Sequence, residues 1–120
     1  MNFRWIAAGV LAWPLAACAA TSSDVAKPQS EAHRLEKFAV SQCLMRAFPD
    51  TPVSADARRA SGAYVELGSA DADVYGEIVE LVQTHRATPY QSKSGEPLQV
   101  MQCLDLLDDP ALKALTDRYR

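Results

Sequence analysis

The chain has none of the short motifs that announce an enzyme: no H-E-x-x-H to hold zinc, no glycine loop to cradle phosphate, no C-x-x-C pair and no G-x-S-x-G elbow. No apolar run reaches the ~20 residues needed to cross a bilayer. The best candidate, Trp5 to Ala17, is shorter and is broken by Pro14. Cations are outnumbered, with 12 Lys and Arg against 15 Asp and Glu in 120 residues and a formal charge of −3. A nucleic-acid partner is therefore not expected, because phosphate binding needs a basic patch. Cysteine is scarce at three residues and histidine scarcer at two. These absences point to a binding protein without cofactor or metal rather than a catalyst.

What is present begins at the N-terminus. Arg4 is followed by the uncharged run Trp5 to Ala17, and Leu15-Ala16-Ala17-Cys18 closes it with small residues before a cysteine. This is the layout of a signal peptide, residues 1–17. Leu-Ala-Ala-Cys resembles a lipobox, which would make Cys18 an acylated N-terminus. Ala19 after it then suggests, by analogy, an outer-membrane destination. Ordinary cleavage is the rival, since Ala17-Cys18-Ala19 also fits the A-x-A rule. Either route predicts a periplasmic protein. Losing the signal removes Arg4 and no acid, leaving 11 basic and 15 acidic residues and a formal charge of −4. Residues 18–30 read as a flexible linker, rich in Ala, Ser and Thr and lacking apolar periodicity. Its twelve residues from Ala19 span about 20 Å as a flexible coil.

Residues 31–120 hold the core-building sequence. Leu35, Ala39 and Cys43 recur at steps of four, predicting a helix over Glu31 to Phe48 that Pro49-Asp50 ends. Ser54 is the expected N-cap of a second helix ending at Leu67, with Ala57, Ala60, Ser61, Tyr64 and Val65 as its inner face. A third runs from about Ala72 to His85, with Val74, Ile78, Leu81, Val82 and His85 facing inward. Its opposite stripe, Asp73, Glu77, Glu80 and Thr84, is acidic with no basic residue inside the helix to offset it. Such a stripe is either a solvated face or a docking surface for a basic partner. Arg86 to Gly95 is punctuated as a loop. A fourth helix opens near Pro97, with Val100, Cys103, Leu104 and Leu107 as its core stripe and Leu98, Met101 and Leu106 extending apolar character outward. That surplus predicts either a central helix or one half covered by a second copy, a homodimer. Asp109-Pro110 caps a short last helix carrying Leu112, Leu115 and Tyr119. The expectation is an all-α, compact bundle of about five helices.

With Cys18 at the signal boundary, Cys43 and Cys103 remain, and an oxidising compartment favours their pairing as one intramolecular disulfide. The rival reading makes one of them a nucleophile with His33 or His85 as base. No active-site signature surrounds either cysteine. His85, at a helix C-terminus where the dipole suits it, reads as structural. Asp105 and Asp108 lack a partner nucleophile, and Asp109 is better placed as a cap.

Tyr64-Val65-Glu66, Tyr75 with Ile78, Tyr90-Gln91-Ser92-Lys93-Ser94-Gly95 and Leu98-Gln99-Val100-Met101-Gln102-Cys103-Leu104-Asp105-Leu106 together resemble the type VI secretion amidase immunity proteins. The resemblance is to the family paired with the fourth class of amidase effectors, and covers most of residues 38–119. It implies a small exported helical homodimer that blocks the cleft of a papain-like peptidoglycan amidase, an enzyme cutting between D-glutamate and diaminopimelate, and so protects against sister-cell toxin. It also implies that Cys43 and Cys103 are the family's disulfide pair. Helix three, with Asp73, Glu77, Glu80 and Thr84, would be part of the amidase-facing surface, and Tyr90, Gln91, Ser92 and Lys93 in the following loop would contribute from one subunit or the other. Leu107-Asp108-Asp109 departs from the aromatic and histidine residues that follow Cys-Leu-Asp-Leu in the family, and the lipobox is an addition to its pattern. The alternative is a periplasmic lipoprotein that inhibits another wall hydrolase or scaffolds an envelope complex.

Overall fold

The computed structural model describes residues 29–120; the expected signal (1–17), Cys18 and the linker through residue 28 lie outside the described residues. Helix α1 spans Glu31–Ala47. It starts where the Ser30 hydroxyl accepts from the backbone N–H of His33 at 3.3 Å, with Glu31 in the first turn and Arg46 in the last to suit the helix dipole. Its periodic residues do what the spacing predicts: Leu35, Ala39 and Cys43 are wholly buried. All the other helices pack around it.

The turn out of α1 uses Pro49 and Asp50, the latter at φ +61°, a left-handed conformation that Asp tolerates better than most residues. Helix α2, Pro52–Glu66, is capped not by Ser54 but by Thr51, whose hydroxyl oxygen accepts from the Ser54 N–H at 3.2 Å. Pro52 supplies the preorganised first helical position, which moves the start forward by three residues. Ser54 is buried instead, and its hydroxyl donates to the Met45 carbonyl at 2.8 Å, bonding α2 to α1. Ser54, Ala57 and Ser61 form the buried face, small enough for the two helices to approach closely; Val65, expected inside, is exposed.

Helix α3 spans Ala72–Arg86 and buries Val74, Ile78 and Val82. Between α2 and α3, the Glu31 carboxylate accepts from the N–H groups of Ser69 and Ala70 at 3.1 and 3.2 Å and pairs with Arg34. Gly68 sits under this knot. A Cβ there would meet the Tyr75 hydroxyl, Glu31 Oε1 at 2.9 Å and the Tyr64 carbonyl oxygen at 2.9 Å. The last is backbone of the preceding helix and has no room to yield. Gly68→Ala is therefore expected to destabilise the domain by about 1–3 kcal/mol in urea denaturation. Tyr75→Phe in the same chain should recover only the hydroxyl's share, and a Gly68→Ala change under about 0.5 kcal/mol would refute the close approach.

Helix α4 is short, Gln99–Leu104, and tightens into a 3₁₀ turn over Asp105–Asp108 before α5, Pro110–Asp117. The tightening changes which leucines face inward. An α-helix turns about 100° per residue and a 3₁₀ helix about 120°. The extra rotation carries Leu106 into the core and Leu107 out of it. Leu106 is fully buried, while Val100, Met101, Leu104 and Leu107 are 40–52% exposed on one stripe. Of the expected core stripe, only Cys103 points inward. It is bonded to Cys43, tying α4 to α1 across 60 residues of chain. Asp109 caps α5 as expected, accepting from the Ala111 N–H at 2.8 Å.

The expected loop after α3 is a small hairpin. Gln91 and Pro97 face each other in an isolated antiparallel bridge, Leu98 N–H donates to the Tyr90 carbonyl, and Gly95 takes the positive φ of +86° that turns the tip. The bundle thus has two ends. One gathers the starts of α1 and α3 and the end of α5, where Arg120 pairs with Glu36 and the Tyr119 hydroxyl donates to Asp71. The other gathers the end of α3, the hairpin and α4.

Candidate functional site

Asp73, Glu77, Glu80 and Thr84 all lie exposed on the outer side of α3. Glu77, Glu80 and Thr84 form one wall of an open groove of about 900 Å³. Its other wall is α5, through Ala111, Ala114, Leu115 and Arg118, and Leu81 lies between them. The alanines leave the cleft between the two helices unfilled. Its lining is apolar beneath a mainly acidic rim, a shape that accepts an apolar side chain flanked by a cation. Arg118 interrupts the acid, reaching Glu77 at 3.5 Å, but the pair is about half exposed and contributes little to stability. Asp73 lies beyond Arg118, in a separate hollow with Asp71 and Tyr119.

His85 and Asp109 close the hairpin end of the groove and also line the next hollow, with Tyr90, Asp105 and Asp108. The structure therefore joins the two predicted segments: the α3 stripe runs through His85 to Tyr90, whose ring lies 6.1 Å from the imidazole. Burial, and then the neighbouring carboxylate of Asp105, hold the Tyr90 phenol above its usual range. Tyr90 is half-buried at the hairpin base; Gln91 and Lys93 are exposed, with Ser92 half-buried between them.

His85 is a fixture of the fold. Its Nε2 donates to the Gln102 carbonyl at 2.7 Å, and Nδ1 lies 3.4 Å from the Asp109 carboxylate. Cys43 and Cys103, wholly buried and bonded to each other, offer no thiolate, so the nucleophile reading falls. Among the described residues, no group of three His, Cys, Asp or Glu side chains could hold a metal ion.

A family model described as Tai4, type VI secretion system (T6SS) amidase immunity protein, matches residues 33–116. The chain belongs to this amidase immunity family. Among solved structures it is similar to a chain of the Tae4/Tai4 effector–immunity system from Salmonella typhimurium, at 30% identity and a TM-score of 0.69. That similarity covers 75% of this chain and 89% of the Salmonella one. No curated protein matches.

Family membership and the helical fold agree with the resemblance read from the Tyr90–Gly95 and Leu98–Leu106 segments. Two parts of the site escape sequence reasoning. The α5 wall does so because Ala111 and Ala114 read as ordinary helix residues, and only packing places them opposite Glu77 and Glu80. The other is Gln102, 2% exposed, whose single signal is a polar side chain set among Val100, Met101, Cys103 and Leu104.

Proposed function

We propose that this protein is the periplasmic inhibitor of a type VI secreted peptidoglycan amidase of the papain-like cysteine class, protecting the cell from the toxin. The observation that carries the reading is the family match over residues 33–116, supported by the likeness to a chain of a solved effector–immunity system. A signal-like N-terminus and a buried disulfide suit an oxidising compartment outside the cytoplasm. Anchoring to the outer membrane through Cys18 is part of the proposal, as is a homodimer built on the exposed stripe Val100, Met101, Leu104 and Leu107. The deciding experiment is co-expression of the intact exported chain with the candidate amidase directed to the periplasm. Rescue from lysis is expected, and lysis despite normal export would remove that amidase as the partner.

Within this reading, the α3 groove and the hairpin contact the enzyme. Glu80 is the cleanest probe, since it has no ion-pair partner among the described residues, whereas Glu77 already faces Arg118. Glu80→Lys combined with Glu77→Gln should weaken amidase binding about tenfold or more while moving stability by no more than about 0.5 kcal/mol. Affinity of the unsubstituted chain should also fall as salt rises, because exposed charges are screened over about 8 Å at physiological ionic strength. Calorimetry at two salt concentrations checks both, and equal affinities throughout would return the stripe to a solvated face.

A further inference from the structure

Gln102 occupies a place in the fold that its chemistry fits and few others would. Its carboxamide Nε2 donates to two carbonyl oxygens, His85 at 2.9 Å in the last turn of α3 and Thr88 at 3.0 Å in the loop beyond. Its Oε1 accepts from the Tyr90 N–H at 3.3 Å, at the base of the hairpin. Both amide hydrogens and the carbonyl are thereby used, and the residue's own backbone carbonyl accepts from His85 Nε2. One buried side chain so bonds the end of α3, the connecting loop and the hairpin to α4, which the Cys43–Cys103 bond holds to α1.

Glutamate has the same shape but, ionised, presents no donor to the two carbonyls; asparagine is one methylene too short; methionine keeps the length and makes no such bond. Gln102 is remote from solvent at 2% exposure, so it does not itself offer a contact surface. What it sets is the relation between two exposed segments, the α3 wall with Glu80 and Thr84 and the hairpin with Gln91 and Lys93. The other hydrogen bonds of the hairpin run mainly within it, so without Gln102 it would sample several orientations against α3, and a partner would have to order it on binding.

We propose that Gln102 is a positioning residue: it holds the base of the hairpin to the end of α3 and to α4, so that the hairpin meets the amidase already ordered, slowing dissociation of the complex. The inference rests on the immunity reading above. It is tested with Gln102→Met, which keeps length and bulk, and Gln102→Glu, which keeps shape and removes the donors; two variants guard against one failing to fold. The amides at the hairpin base, Tyr90 donating to Gln102 and Leu98 donating to the Tyr90 carbonyl, should exchange with deuterium about tenfold or more faster, while the amides of α1 keep their rates. Dissociation from the amidase should quicken about tenfold with little change in association rate. Unchanged hairpin exchange overturns the proposal, as does faster hairpin exchange with an unaltered dissociation rate. Exchange accelerated equally in α1 overturns it too, making Gln102 a general core residue. Failure of the unsubstituted chain to bind the amidase sinks the immunity reading instead and takes this inference with it, an outcome recognisable because it appears without any substitution.

Discussion

Replacing Cys43 and Cys103 together by serine is expected to lower the stability of the exported domain by about 2–5 kcal/mol. The bond closes a loop of 60 residues, and the chain-entropy model assigns such a closure about 4 kcal/mol. A domain of this size has only some 5–13 kcal/mol in total, so the loss is a large share. Native-state contacts push the same way. Both sulfurs are wholly buried between α1 and α4, where serine hydroxyls would lack ready partners. Helix α4 has six residues, too few to hold its place by helix formation alone. Urea denaturation of oxidised wild type, reduced wild type and the double variant checks the claim. Reduced wild type should resemble the variant, and a difference from oxidised protein under about 1 kcal/mol would refute it. Thiol labelling of the denatured, unreduced domain should find neither cysteine free. For the proposed function the effect is directional: the domain reaches full stability only where the bond forms, which is also where a wall-cutting amidase acts.

Helices whose ends are written in local chemistry are legible in the sequence. Helix α3 begins after Asp71 and buries Val74, Ile78 and Val82 on the predicted face, because no neighbouring element alters its phase. Helix α5 is legible through Asp109-Pro110, a cap and first-turn proline in sequence. The start of α2 is ambiguous because two hydroxyls compete within four residues, and Ser54, although a good cap by type, is claimed by the Met45 carbonyl. The acidic stripe of the candidate site is legible as a stripe, since helical spacing alone puts Glu77, Glu80 and Thr84 together. That it borders a groove is not, because the opposite wall comes from residues about thirty positions away on α5. Gln102 is hidden for a related reason: its three partners belong to the backbone of His85, Thr88 and Tyr90, and backbone partners leave no mark in a sequence.

Leu106→Ala should cost about 2–5 kcal/mol of stability, whereas Leu104→Ala and Leu107→Ala in the monomer should cost about 0.5 kcal/mol or less. Regular α periodicity orders these residues differently, placing Leu107 nearer than Leu106 to the Cys103 side of the helix. The 3₁₀ turn over Asp105–Asp108 reverses that order, with Leu106 at 0% exposure and Leu104 at 51%. Removing Leu106 leaves a cavity beside the disulfide and Leu112, which that neighbourhood cannot close while α4 is bonded to α1. The three alanine variants therefore read the helix phase directly. They also separate interior from interface. If Val100, Met101, Leu104 and Leu107 cover a second copy, Leu104→Ala weakens the protein only at concentrations where the dimer is populated, while the Leu106→Ala penalty persists on dilution. Light scattering at micromolar concentration should then give a dimer for the unsubstituted domain and a monomer for Met101→Glu with Leu104→Glu. A monomer mass for the unsubstituted domain would end the dimer proposal and leave the Leu106 prediction standing, because burial of that side chain is complete within one chain.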